Sequence, residues 1–262
     1  MKQVQKREIL QFSNGQFKQV EDAIATEHAV TIYLNGKEFM TIVCTPEYIE
    51  EMVIGFLASE KLIGRFSDIQ KIWLTQDAKF IHIETEKLFP FYEQLHSKRY
   101  ISSCCGFGRQ GFVFANDALT AKKMTTTTIT LRPKDCFHLM SELEKTASVF
   151  QETGGVHNAA LCDASGVVLA RMDIGRHNAL DKIYGHCLRN DISVRDKVIA
   201  FSGRISSEIL LKAAKIGCEI ILSKSAPTEL ALELAEALGI TTVGFIRGDS
   251  FNLYTHPQRI KS

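Results

Sequence analysis

The first hundred residues alternate between apolar and polar positions in short runs, which is typical of half-buried β-strands. Residues 29–43 contain two such runs on either side of Asn35 and Gly36, a dipeptide that favours a tight hairpin turn. The same alternation at 72–74 and 80–83 predicts two further strands. The pattern therefore predicts a β-hairpin with additional strands in the N-terminal part of the chain.

A helix is predicted directly after this hairpin. Thr45 is a favourable N-cap, and Pro46 suits the first helical position. Apolar side chains then recur at helical spacing until Gly64 ends the pattern. This apolar stripe consists of Ile49, Met52, Val53, Phe56 and Leu57. The helix and the strands together predict a small α+β domain over residues 1–120.

The apolar periodicity fades between about residues 95 and 130. Several glycines and the threonine tract at 125–128 indicate a mobile connection in this part of the chain. We place the domain boundary inside it. The first domain is expected to end in a mobile, cysteine-containing loop at about 95–120, and the second domain is expected to span residues 121–262.

Helices and strands alternate in the second domain. Residues 134–150 predict a helix, and apolar runs at 159–162 and 167–170 predict a hairpin around Ser165 and Gly166. The elements predicted after it are a helix at 177–188, a strand at 197–202, a helix at 206–216, a strand at 218–223, a helix at 228–238 and a strand at 240–246. Repeated βαβ units imply a parallel sheet with right-handed crossovers. The expected fold class is therefore an α/β second domain in a chain that is α+β overall.

The charge balance gives no sign of a nucleic-acid or membrane partner. The 262 residues include 31 lysines and arginines against 30 acidic residues, so any anion site has to be local. The N-terminus lacks the apolar stretch of a signal peptide, and no apolar run approaches the length that spans a bilayer. We therefore expect a cytoplasmic protein.

The seven cysteines do not form the spacing pattern of a secreted disulfide framework. Five of them stand alone in apolar surroundings and are expected to be small buried hydrophobic residues; they are Cys44, Cys136, Cys162, Cys187 and Cys218. Cys104 and Cys105 differ because they are adjacent and lie in the glycine-rich loop, with Lys98, Arg99 and Arg109 nearby in sequence. Positive charge and exposure favour a reactive thiolate. Cys104 is therefore a candidate nucleophile, although two loop thiols could also occur there by accident.

Polar residues follow three successive predicted strands of the second domain. In open α/β sheets ligands bind beyond the carboxyl ends of the strands. The residues at these ends are Ser202, Arg204, Lys224, Ser225 and Arg247. Cations near helix N-termini bind phosphates, whereas a single loop of this kind could be ordinary turn chemistry. Three such loops in succession favour an anion-binding crevice.

Two further segments are expected to contribute to the same crevice. They place His157, Arg176 and His177 next to glycines, where the backbone can approach a ligand closely. A zinc site of the cytidine-deaminase type requires His-x-Glu and a later Pro-Cys-x-x-Cys. Neither motif is present, so no metal site is predicted.

Several blocks of the sequence carry a family resemblance. They are Ser102-Ser103-Cys104, Thr153-Gly154-Gly155-Val156-His157, residues 173–182 (DIGRHNALDK), Ser202-Gly203-Arg204, Ser225-Ala226-Pro227-Thr228 and Gly244-Phe245-Ile246-Arg247. In these motifs, which extend over nearly the whole chain, the sequence resembles the FdhD formate dehydrogenase accessory sulfurtransferases. The resemblance implies a homodimer whose C-terminal domain has a cytidine-deaminase-like fold without catalytic zinc.

The resemblance also implies an activity. Cys104 would accept sulfur from a cysteine desulfurase as a persulfide and transfer it to the molybdenum or tungsten bis(molybdopterin guanine dinucleotide) cofactor, which formate dehydrogenase then receives. The residues expected to bind this cofactor are Phe245, Ile246, Arg247, Gly248, Asp249, Ser250, His157, Arg176, His177, Ser202, Arg204 and Ser225.

One position departs from the family pattern. The family usually has a second cysteine three positions after the first, whereas this chain has Phe107 there and Cys105 beside Cys104. The resemblance therefore assigns the role of sulfur carrier to Cys104 and not to Cys105. Two other functions remain open: a chaperone that shelters the cofactor without sulfur chemistry, and a nucleotide-processing enzyme, which the missing deaminase motifs disfavour.

Overall fold

The computed structural model describes residues 1–86, the backbone of 101–102, and residues 121–261. Its first large sheet has the strand order β5-β6-β3-β4-β7. The strands are β3 (His28–Leu34), β4 (Lys37–Cys44), β5 (Ile69–Leu74), β6 (Phe80–Thr85) and β7 (Ile101–Ser102). The predicted hairpin is confirmed, because β3 and β4 pair antiparallel around the turn at Asn35 and Gly36. The two further strands are confirmed as β5 and β6.

Helix α1 (Ile49–Ser59) packs on one face of this sheet. Its buried side chains pack with alternate residues of β3, including Val30 and Ile32. The predicted N-cap was wrong, since the helix begins three residues after Pro46 with Tyr48 at the cap position. The reason is tertiary: the Thr45 hydroxyl and backbone N–H both donate to Asp173 Oδ2, at 2.9 and 3.0 Å. Thr45 is therefore hydrogen-bonded to Asp173 and does not cap α1.

The sequence pattern did not predict the first two strands, β1 (Val4–Ser13) and β2 (Gln16–Ala25). They form a separate antiparallel hairpin with exposed, mostly polar faces. Their turn contains Asn14 and Gly15, both with positive φ, as a tight hairpin requires. The alternation was missed because neither face of this hairpin has a continuous apolar row.

The second large sheet has the strand order β13-β12-β11-β10-β8-β9. Its strands are β8 (His157–Asp163), β9 (Gly166–Asp173), β10 (Val198–Phe201), β11 (Ile220–Ser223), β12 (Thr241–Arg247) and β13 (Ser250–Thr255). The three central strands β10, β11 and β12 are parallel, as predicted. The sheet as a whole is mixed, however, because β8, β9 and β13 pair antiparallel at its two sides. The last of these strands, β13, was not predicted.

Helices cover both faces of the second sheet. They are α2 (Pro133–Lys145), α3 (Ser148–Thr153), α4 (Arg176–Arg189), α5 (Ser207–Ile216) and α6 (Glu229–Leu238). Helix α2 packs on one face, and α4, α5 and α6 pack on the other. The helix predicted over 134–150 is divided in two, with the break at Thr146, whose hydroxyl donates to the carbonyl of Leu143 at 2.7 Å. The α+β class is confirmed, with helix–sheet–helix layers in the second part.

The two parts of the chain meet where α1 crosses α4. Gly55 and Gly185 lie at the crossing, and a Cβ on either would come within 2 Å of a backbone carbonyl oxygen of the other helix. The helices approach this closely because neither position has a side chain. The two sheets are therefore joined by a tight helix–helix contact.

Buried ion pairs surround this crossing. Lys182 Nζ lies 2.7 Å from Asp173 Oδ2, and both side chains are fully buried. Lys212 Nζ lies 2.5 Å from Asp181 Oδ1, which also accepts a hydrogen bond from the hydroxyl of Ser59 in α1. A third network joins Arg171 and His186 to the Glu51 carboxylate of α1. Each network links the first sheet and its helix to the second domain.

The threonine tract at 125–128 is fixed to the second domain. The Thr126 hydroxyl and the Thr128 backbone N–H donate to the two carboxylate oxygens of Glu219, at 3.1 and 2.9 Å. The Arg259 guanidinium donates to the Thr126 carbonyl at 2.8 Å. The expectation of a mobile connection is wrong for this tract. Cys104 and Cys105 lie outside the described residues.

Candidate functional site

A pocket of about 690 Å³ opens at the carboxyl ends of β10, β11 and β12, on the face that α2 covers. The lining residues from the strand ends are Ser202, Lys224, Ser225, Ile246, Arg247 and Gly248, and those from α2 are Phe137, Met140, Ser141 and Glu144. The strand ends thus come together as the sequence predicted, on the side of the sheet where α/β proteins bind ligands. The sequence analysis did not predict that residues of α2 line this site.

Hydrogen bonds between serine hydroxyls and backbone groups hold the strand ends in place. Ser202 Oγ accepts from the Asn158 backbone N–H at 2.9 Å, which ties the end of β10 to β8. Ser223 Oγ donates to the Gly203 carbonyl at 2.8 Å and accepts from the Ser225 N–H at 2.9 Å. The serine-rich loops are therefore preorganised before any ligand binds.

Two cations and one carboxylate lie in the pocket wall. Lys224 Nζ is 2.5 Å from Glu144 Oε1, and the two side chains remain 41% and 51% exposed. The Arg247 Nε–H donates to the Lys224 carbonyl at 3.3 Å, and the guanidinium lies 5.6 Å from the centre of the Phe245 ring. Cations beside hydroxyl and backbone donors are suited to bind phosphate groups.

The end of β12 has an unusual backbone. Phe245 has a φ of 54°, a left-handed conformation that is rare for a bulky side chain. Its N–H donates to the Ser225 carbonyl at 3.2 Å, and the residue is 38% exposed. The strand pairing with β13 is irregular between Gly244 and Arg247. Such strain often occurs at ligand sites, because it presents side chains that a regular strand would direct elsewhere.

The other predicted residues of this stretch lie near the pocket but do not line it. Asp249 and Ser250 are exposed, and Ser250 Oγ donates to the Arg247 carbonyl at 3.3 Å. Arg204 is exposed just beyond β10 and is not among the residues that line the pocket. Phe245 adjoins the pocket through its contact with Arg247.

The predicted histidines form a second cluster on the opposite face of the sheet. His157 alternates with core residues that pack against α4, and a Cβ on Gly203 would lie 3.2 Å from His157 Nδ1. His177 Nε2 lies 2.9 Å from Glu208 Oε2. Arg176 Nε is buried and has no hydrogen-bond partner within the described parts of the chain. These three residues therefore do not line the strand-end pocket with Arg247, although the two clusters meet at Ser202 and Gly203.

Burial controls the protonation of both histidines. The pKa of His157 is lowered by burial and then by the nearby charges of Arg176 and His177. Burial also lowers the pKa of His177, although the neighbouring Glu208 carboxylate partly opposes this effect. Both rings therefore favour the neutral form.

The rest of the segment at 173–182 stabilises the fold. Asn178 Nδ2 donates to the Val43 carbonyl of β4 and to Asp173 Oδ1, both at 2.9 Å. Asp173 and Lys182 form the buried pair described above. The sequence predicts that this segment contributes to the crevice, whereas Asp173, Asn178 and Lys182 hydrogen-bond to Val43 and Thr45.

The five isolated cysteines are buried and free, as predicted. Burial raises the pKa of the Cys44, Cys136 and Cys162 thiols to about 12 and that of Cys187 to about 11. It raises the pKa of Cys218 as well. These thiols therefore remain protonated and are poor nucleophiles.

Within the described ranges, no group of three or more histidine, cysteine, aspartate or glutamate side chains is arranged to hold a metal ion. None of the helices in those ranges is long and apolar enough to cross a membrane.

Comparison with known proteins adds sequence and structural relatives. A model of the FdhD/NarQ family matches residues 25–261. The sulfur carrier protein FdhD of Shouchella clausii is 55% identical over 256 residues, covering 97% of this chain and 96% of that protein. The sulfur carrier protein FdhD of Bacillus subtilis is 52% identical over 255 residues, covering 97% of each. A crystal structure of a proposed formate dehydrogenase accessory protein from Desulfotalea psychrophila matches with a TM-score of 0.80 at 22% identity, covering 99% of this chain and all of that one.

Proposed function

Because the chain belongs to the FdhD/NarQ family, we propose that it is a cytoplasmic sulfur carrier for formate dehydrogenase. Cys104 accepts sulfur from a cysteine desulfurase as a persulfide. The chain then presents this sulfur to a molybdenum or tungsten bis(molybdopterin guanine dinucleotide) cofactor. In the first step the Cys104 thiolate attacks the outer sulfur of the donor persulfide, a new S–S bond forms, and the donor thiolate leaves.

The state of the other cysteines carries this proposal. Five of the seven thiols are buried, and their raised pKa values keep them protonated. A sulfur carrier needs a thiolate that a donor protein can reach. Only Cys104 and Cys105 remain as candidates, and family resemblance favours Cys104.

The start of α4 is a second feature that favours anions. Its first turn contains Arg176, whose buried Nε has no hydrogen-bond partner within the described residues. The helix N-terminus and this guanidinium both favour negative charge there.

The strand-end pocket supports binding of the cofactor. The proposed cargo is large and anionic because of its phosphates, and Lys224 and Arg247 supply positive charge at the pocket wall. The pocket adjoins the histidine cluster at Ser202 and Gly203.

Mass spectrometry after incubation with a cysteine desulfurase and cysteine tests the proposal. We expect one added sulfur atom on Cys104, and none on the Cys104→Ser variant, which should retain its fold. Cys105→Ala is the matched control and should acquire the sulfur and activate formate dehydrogenase. A Cys104→Ser protein that activates formate dehydrogenase normally would contradict sulfur transfer and favour a cofactor chaperone. A Cys105→Ala protein that carries the persulfide but cannot activate the enzyme would make Cys105 the relay to the metal.

A further inference from the structure

We propose that Asn14, in the turn between β1 and β2, is a site of spontaneous deamidation, whereas Asn35, in a turn of the same backbone form, is protected. Asn14-Gly15 and Asn35-Gly36 are the two Asn-Gly pairs of the sequence. The reaction uses water as its only co-reactant and converts the side-chain amide to the acid of aspartate or isoaspartate. The inference is independent of the proposed function, and it assigns a modification site in a part of the chain that this function does not use.

The chemistry of an Asn-Gly pair favours this reaction. The backbone nitrogen of the glycine attacks the side-chain amide carbon of the asparagine, a C–N bond forms and ammonia leaves, which closes a succinimide ring. Water then opens the ring at either carbonyl, and the product is aspartate or isoaspartate. No electrons are exchanged, so the reaction needs neither an oxidant nor a reductant. Glycine permits the attack because it has no Cβ to block the approach and its backbone rotates freely.

The two turns have nearly the same backbone. Asn14 and Asn35 have φ values of 51° and 49°, and the glycines that follow them have φ values of 79° and 78°. Each pair forms a tight turn between two antiparallel strands. Both asparagines are exposed to solvent. Neither the backbone conformation nor access to water therefore distinguishes the two sites.

Two hydrogen bonds hold the side chain of Asn35. Its Nδ2 donates to the Thr85 carbonyl and its Oδ1 accepts from the Thr85 N–H, both at 2.9 Å. Thr85 is the last residue of β6, so these bonds tie the turn to the first large sheet. The amide carbon has to rotate toward the Gly36 nitrogen before it can react, and this rotation breaks both bonds. The reaction at Asn35 is therefore slowed.

The side chain of Asn14 has no such restraint. It makes no hydrogen bond to any of the residues that the structure describes. Its hairpin is a separate sheet of two strands, and an isolated hairpin of this kind is only marginally stable in water. The turn at Asn35 belongs instead to a sheet of five strands that packs on α1. The turn at Asn14 therefore opens more readily to the geometry that the attack requires.

Deamidation of Asn14 changes the tip of the hairpin. Phe12 and Phe17 flank the turn with their ring centres 5.0 Å apart, and both are exposed. Aspartate places a negative charge beside these rings, and isoaspartate adds a methylene group to the main chain, which disturbs the pairing of the two residues. The other end of the hairpin is held by Val4 and Ala25, which pack against a buried apolar cluster. The change is therefore confined to the hairpin.

Peptide mass spectrometry of the full chain after incubation at mildly alkaline pH tests the proposal. Conversion of amide to acid at Asn14 should be about tenfold or more faster than at Asn35, because two hydrogen bonds have to break at Asn35. The same incubation in urea is the matched control, since both pairs are then unrestrained and should react at similar rates. Equal rates in the folded chain, or a faster reaction at Asn35, would overturn the proposal. So would a folded chain in which Asn14 stays intact for as long as it takes to react in urea.

Labelling with an isoaspartate methyltransferase and S-adenosylmethionine gives a second readout, because this class of enzyme methylates the isoaspartate product. The incubated wild-type chain should incorporate the methyl label. Asn14→Gln should not, since glutamine closes the corresponding ring far more slowly, whereas Asn35→Gln should be labelled as strongly as wild type. Equal labelling of Asn14→Gln and wild type would place the reactive residue elsewhere and contradict the assignment to Asn14.

Discussion

The contact between α1 and α4 and the strand-end pocket each contain a lysine–carboxylate pair of similar length. Lys182 and Asp173 lie 2.7 Å apart and are fully buried, and Asp173 also accepts hydrogen bonds from Thr45. Lys224 and Glu144 lie 2.5 Å apart and are about half exposed. The distances are alike, but the surroundings of the two pairs are very different.

This difference separates structural charges from functional ones. Charges removed from water need each other, because the loss of one partner leaves an uncompensated charge in the interior. A half-exposed pair exchanges its partner for water or a ligand at little cost. Substitutions around the α1–α4 contact should therefore change stability, whereas those in the strand-end pocket should change binding.

The largest effect is expected from Gly185→Ala at the helix crossing. The new Cβ would come within 2 Å of the Glu51 carbonyl, a backbone atom that cannot move without separating the helices. We expect a loss of more than about 4 kcal/mol in the free energy of unfolding, measured by denaturant titration. Glu233→Ala, on an exposed position of α6, should change it by less than about 0.5 kcal/mol. A Gly185→Ala protein of normal stability would show that the crossing is not tight.

The next largest effect is expected from Lys182→Met. The Asp173 carboxylate would be left fully buried without its cation, and we expect a loss of about 3 kcal/mol in the free energy of unfolding. The double variant Asp173→Asn/Lys182→Met should lose less than the sum of the two single variants, because neither side chain is then charged. Additive losses in this double-mutant cycle would contradict a direct interaction between the two groups.

The sequence alone predicts the elements that local interactions determine and misses those that depend on contacts with distant residues. The hairpin at Asn35 and the alternating elements after residue 197 were predicted because local turn residues and apolar periodicity determine them. The start of α1 was wrong because Thr45 bonds to Asp173, which is distant in sequence, instead of capping the helix. A local sequence pattern cannot show that a side chain hydrogen-bonds to a charged residue far away in the sequence.

The candidate site was predictable where it depends on strand ends. Ser202, Ser225 and Arg247 come together because parallel strands end at the same edge of the sheet. The predicted role of His157 was not confirmed in this pocket, because the alternation of β8 directs its side chain to the other face of the sheet. The contribution of α2 was missed because its apolar stripe does not show which edge of the sheet the helix covers.

A smaller effect, on binding alone, is expected from Arg247→Ala. The loss of one charge-assisted phosphate contact should weaken GDP binding about tenfold, equivalent to about 1.4 kcal/mol. The free energy of unfolding should stay within about 0.5 kcal/mol of wild type. Arg204→Ala is the matched control, because Arg204 follows β10 of the same sheet but does not line the pocket. Equal losses in the two variants would indicate a general charge effect instead of a contact by Arg247.

The smallest effect concerns the histidine cluster, which is buried like the α1–α4 contact but adjoins the pocket at Gly203. Burial lowers the pKa of both His157 and His177. Below the unfolded histidine pKa of about 6.5, the unfolded chain therefore binds more protons than the folded one, and stability falls as the pH falls. Each ring should reduce the free energy of unfolding by about 0.5 kcal/mol between pH 7 and pH 6.

The Glu51 carboxylate at the α1–α4 contact titrates outside this pH range. The pKa of Glu51 is lowered because its hydrogen bonds with Arg171 and His186 outweigh the opposing effect of burial. The stability from Glu51 is therefore lost only in the acid range, below the usual glutamate pKa of about 4.3. Denaturant titrations of His157→Gln and His177→Gln at pH 7 and pH 6 should each show a smaller difference than wild type. If His157→Gln keeps the wild-type difference but weakens GDP binding, the cluster belongs functionally to the pocket and not to the buried interface.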